Sequence, residues 1–109
     1  MEVGNMDELV LHLSKGQHKV VIGNRNESYD EIKERINNKF FHVKFTETRG
    51  GTELGINIDL EKTNINDIDL KTDSLHIEGT TNLNYNSVRL IADIDMASRS
   101  GYGYLTLEQ

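Results

Sequence analysis

At 109 residues with no cysteine, the chain has no disulfide framework, thiolate metal site or cysteine nucleophile, and is long enough for one domain, residues 1–109, with its own core. Its formal charge of -6 repels nucleic-acid phosphates and anionic lipid, so neither nucleic acid nor membrane is an expected partner. No apolar run is long enough to span a bilayer, and the acidic Met1–Asp7 start lacks the basic-then-apolar layout of a signal peptide, so a cytoplasmic protein is expected.

Residues 5–15 carry Met6, Leu9, Val10 and Leu13 at helical spacing, with Asn5 to cap the start and Gly16 to stop the end. Lys19–Ile22 reads as a short β-branched strand. Ser28 followed by Glu31 is a capping box, which opens a second helix to about Asn38 with Tyr29, Ile32 and Ile36 inward. From Phe41 onward the apolar period changes to two. Phe41, Val43 and Phe45 alternate with polar residues, Gly50-Gly51 supplies a hairpin turn, and Leu54, Ile56, Ile58 and Leu60 return. A polar excursion, Glu61–Asp73, carries Ile65, Ile68 and Leu70 as anchors. Strands at about Leu75–Leu83, Val88–Met96 and Tyr102–Leu107 complete the chain, joined near Asn84–Asn86 and Ser98–Gly101. This order predicts an α+β fold, with two N-terminal helices packed on one face of a mainly antiparallel five- to six-stranded sheet.

Parity assigns the faces. Phe41, Val43, Phe45, Leu54, Ile56, Ile58, Leu75, Ile77, Val88, Leu90, Ile94, Leu105 and Leu107 fall beneath the helices. The open face carries His42, Lys44, Asn57, Asp59, His76, Glu78, Arg89, Ile91, Asp93, Asp95, Tyr102 and Tyr104.

Chemistry-bearing patterns are few. TETRGGTELG, residues 46–55, combines a glycine-rich turn with Arg49, whose fork suits a carboxylate or phosphate, but it has neither the lysine nor the following helix of a Walker loop. Asp67, Asp69, Asp73 and Glu78 fall on calcium-loop positions, yet Lys71 takes a ligand place and Thr72 replaces the turn glycine. His12, His18, His42 and His76 show no metal-ligand spacing, although His42 and His76 share the open face and, if their strands are neighbours, can meet Asp59 or Glu78 there. No serine sits in a nucleophile elbow, and the same-face pair Asp93 and Asp95 fits a wet strand surface. No catalytic residue, metal or cofactor is therefore expected.

Tyr102 and Tyr104, flanking Gly103 and preceded by Arg99, are the residue types that anchor interfaces, and Gly103 would leave the sheet bare beside the rings. The sequence thus points to a non-catalytic protein-binding domain, an inhibitor, immunity-type factor or accessory subunit. Its partner would be another protein, met through Arg89, Ile91, Arg99, Tyr102 and Tyr104. The C-terminal strand, read as an edge, also allows self-association. The alternative is a small anionic-ligand binder using Arg25, Arg49, Gly50 and Gly51.

Overall fold

The computed structural model describes residues 7–23 and 26–108. The elements are α1 (Glu8–Leu13), β1 (His18–Ile22), α2 (Tyr29–Asn37), β2 (Phe40–Phe45), β3 (Thr52–Ile58), a 3-10 turn (Leu60–Lys62), β4 (Ser74–Leu83), β5 (Asn86–Asp95) and β6 (Ser100–Leu107). The six strands pair antiparallel in chain order and close into a barrel, with β6 returning to β1 through His18↔Gly103, Lys19↔Tyr102, Val20↔Gly101 and Val21↔Ser100.

Closure corrects the expected open α+β sheet. Among the described residues only α2 is a helix of more than two turns, and the two helices do not share one sheet face. Strand directions place the start of β1 and the β2–β3 and β4–β5 turns at one end of the barrel. The end of β1, the β5–β6 turn and the Asp59–Asp73 excursion lie at the other. Helix α1 leads into β1 at the first end and packs on β6, whereas α2 links β1 to β2 at the second and packs on β2. Nor is β6 an edge: it pairs with β5 along its length and with β1 on its other side, so the C-terminal strand does not offer the free edge expected of it.

The side chains expected beneath the helices fill the barrel interior instead. Phe45, Ile56, Leu75, Ile77, Leu90 and Ile94 are fully buried, and Val10, Leu13, Ile32 and Ile36 join them from the helices. Burying each of those four contributes roughly 1.5–3 kcal/mol, which holds helices too short to persist alone. Leu107 is the exception, 44% exposed at the barrel rim. The glycines also change meaning. Gly103 points inward, not beside the tyrosine rings, and a Cβ there would lie 2.7 Å from that of Ala92. At Gly101 a Cβ would lie 1.9 Å from the Asp93 carbonyl oxygen. Bare backbone at these two inward positions lets β6 curl against β5 and the sheet meet itself.

Local signals set the helix starts. Asp7, not Asn5, caps α1: its Oδ1 accepts from the amides of Leu9 at 2.8 Å and Val10 at 3.2 Å. Asn5 and Met6 lie outside the described residues. The Ser28–Glu31 capping box opens α2 as the spacing predicts, with both reciprocal bonds formed.

Candidate functional site

Register across the barrel wall sorts the outward residues into rows. His76, Asp93, Tyr102 and Lys19 form one row across β4, β5, β6 and β1. Glu78, Ile91 and Tyr104 form the next, and Thr80, Arg89 and Thr106 the third. Arg89, Ile91, Tyr102 and Tyr104 therefore share one surface. The Tyr102 ring is 57% exposed, while Tyr104 and Ile91, facing each other across β5 and β6, are half-buried.

Arg99 belongs elsewhere. It sits in the turn before β6 at φ 60, stacks its guanidinium 4.6 Å over the Tyr29 ring, and donates to the Glu27 carbonyl oxygen. Buried Glu27 in turn pairs with Arg35 of α2. Arg99 thus ties the β5–β6 turn to α2, and closeness in sequence to Tyr102 does not carry it onto the same face.

A charged chain runs beside the tyrosines. His76 Nδ1 lies 2.8 Å from Asp93 Oδ1, and its Nε2 lies 2.8 Å from Glu78 Oε2. Glu78 and Asp59 both accept from Arg89 Nη1, at 3.4 and 3.3 Å, and Glu108 lies 3.4 Å from Arg89 Nε. A neutral imidazole has one donor and cannot satisfy two carboxylates, so this geometry favours the doubly protonated ring. Partial burial opposes the charge, but the hydrogen bonds to Glu78 and Asp93 and their negative charge outweigh it and raise the His76 pKa. Asp95 is spent on the turn, accepting from the Ala97 amide at 3.1 Å.

The remaining candidates are occupied locally. His42 packs edge-on against Phe40 at 5.1 Å, on a different wall from His76. His12 and His18 pack ring to ring at 4.7 Å. In the calcium-like stretch, Asp69 and Asp73 accept from backbone amides of their own loop. Among the described residues no group of three or more histidines and acids is arranged to hold a metal ion. Arg49, Gly50 and Gly51 form the expected turn, but the Gly51 amide donates to the Thr48 carbonyl at 2.9 Å instead of facing outward. Arg25 lies outside the described residues.

Two features escape sequence reasoning. Strands β3 and β4 pair only through Asn57↔Thr80 and Ile58↔Gly79. Beyond that point lies a polar groove of about 390 Å³ lined by Asn57, Thr80, Thr81, Asn82, Ser87 and Glu108. The second is Tyr85, fully exposed in the β4–β5 turn at φ 69. An aromatic inside a two-residue turn between long strands was the available signal for it.

Fold and surface define a small closed barrel of six antiparallel strands, apolar within, with tyrosines and a histidine–carboxylate–arginine chain outside. No family model matches the sequence, and no curated protein resembles it significantly. No helix among the described residues is long and apolar enough to cross a membrane.

Proposed function

We propose that the protein is a non-catalytic protein-binding domain, an inhibitor, immunity-type factor or accessory subunit, acting through the outer face of β5 and β6. The observation that carries this reading is the Tyr102 ring, 57% exposed on a rigid barrel wall beside half-buried Tyr104 and Ile91. Tyrosine offers large contact area at low entropic cost, and a closed barrel is already ordered before binding. The neighbouring carboxylates Asp59, Glu78 and Asp93 are held by Arg89 and His76, so the rim carries fixed charge that selects among partners. Hydrolytic use of His76 is disfavoured, because both ring nitrogens face carboxylates and neither is placed to take a proton from a nucleophile.

The test is affinity capture from the source cells followed by binding measurements on the purified complex. Tyr102→Ala and Tyr104→Ala should each weaken it by roughly thirtyfold or more, from a loss of about 2 kcal/mol per truncated anchor. Both variants should fold as the parent does. Folded variants that bind as tightly as the parent would remove this face from the interface.

A further inference from the structure

Tyr85 stands where a side chain contributes least to the fold. Leu83 and Asn86 close a two-residue turn between the two ten-residue strands β4 and β5. Both central residues take positive φ, 49 at Asn84 and 69 at Tyr85, the pattern of a type I′ turn. Asparagine tolerates that conformation and glycine is favoured after it, whereas a bulky side chain there is strained. The strain has no return inside the molecule, since Tyr85 is exposed to the full extent of a free residue.

The tip carrying the ring is nevertheless held firmly. The Asn84 side chain lies against Asp7 and lowers its pKa, and Asn86 Nδ2 donates to the Asn84 carbonyl at 3.0 Å. Ser87 Oγ donates to Asn82 Oδ1 at 3.0 Å, and the Glu108 amide bonds the Ser87 carbonyl at 2.9 Å. A convex, pinned tip that displays one aromatic ring fits a concave surface on another protein. Asp7 lies beside it and exposed Glu8 follows Asp7, so complementarity calls for basic groups around that concavity.

We propose that the β4–β5 tip is a second recognition element, with Tyr85 entering an apolar, basic-rimmed cleft of a protein partner. It rests on the protein-binding reading for the class of partner and not on the Tyr102 surface. The probe is the full chain carrying the photo-crosslinker p-benzoylphenylalanine at position 85, 102 or, as a control on exposed α2, 34, irradiated in the source cells. A discrete protein adduct is expected from positions 85 and 102 and none from 34.

The captured protein, purified, should bind Tyr85→Gly at least thirtyfold more weakly than the parent. Tyr85→Gly should also melt a few degrees higher, because glycine relieves the positive φ. Glu8→Lys should slow association at low salt. A lower melting temperature for Tyr85→Gly would mean that the ring supports the turn, which overturns the proposal. So would unchanged affinity of that variant, or an adduct from 102 without one from 85; this last result leaves the β5–β6 face standing. No adduct from either position removes both readings, and a Glu8→Lys variant that associates normally removes the basic rim.

Discussion

Two hairpins turn at the same end of the barrel and meet the same demand for positive φ in opposite ways. Between β2 and β3, Gly50 and Gly51 take φ 72 and 77, where glycine adds no steric cost. Between β4 and β5, Asn84 and Tyr85 hold φ 49 and 69 with side chains attached. The walls differ as well. The β2–β3 pair sets His42 opposite Gly55, whereas the β4–β5 pair sets His76 opposite Asp93 and beside Glu78. One hairpin is shaped by what the backbone prefers; the other accepts strain and concentrates charge, which is why the proposed recognition surface is placed on it and its neighbour β6.

The contrast can be broken most forcefully at the glycines. Replacing both, Gly50→Val with Gly51→Val, should cost about 2–4 kcal/mol in denaturant titrations, from about 1–2 kcal/mol per left-handed side chain. A double variant as stable as the parent would show that this turn never depended on glycine. Asp7→Ala should lower the denaturation midpoint by removing the α1 cap, and should also release the Asn84 side chain. Asn84→Gly sharpens the comparison: relief of strain is offset by loss of the Asp7 contact, so its net change should stay within about 0.5 kcal/mol.

The charged wall gives a smaller, pH-dependent effect. Because folding raises the His76 pKa, its contribution is fully present below the unfolded value of about 6.5 and is lost as pH rises through the folded value. Melting temperatures of the parent should fall across that upper range, and His76→Gln should flatten the fall. Parallel profiles for the two proteins would mean that the ring does not titrate against Glu78 and Asp93. Least is expected from Arg49→Ala on the glycine turn, within about 0.5 kcal/mol of the parent and without effect on any partner captured through Tyr102.

Alternation made the strand faces legible. Phe41, Val43, Leu54, Ile56, Leu75, Ile77, Leu90 and Ile94 are inward as their parity requires. Closure was not legible that way, because an open sheet with one wet face and a barrel with a dry interior have the same period of two. The discriminating signal lay in glycines at inward positions, Gly101 and Gly103, which side-chain patterning treats as gaps. The meeting of His76 with Glu78 followed from parity along one strand, but its second contact, with Asp93, required the register between β4 and β5. Arg99 was misplaced because a turn residue at positive φ leaves the strand's two-fold alternation, so its side chain reaches α2 instead of the wall.

The pairing of β6 with β1 also sets an order of events during folding. Contacts within β4, β5 and β6 join residues near in sequence, whereas Val20 must find Gly101 across nearly the whole chain. Loop-closure entropy delays such distant pairings until the intervening strands have shortened the path. On a ribosome, β1 emerges early and waits with an unsatisfied edge until the last strand is made. Pulse-labelled hydrogen exchange should accordingly find amides of the β4–β5 ladder protected before those of Val20 and Ile22, which face β6, making the β1–β6 seam the final and slowest join of the barrel.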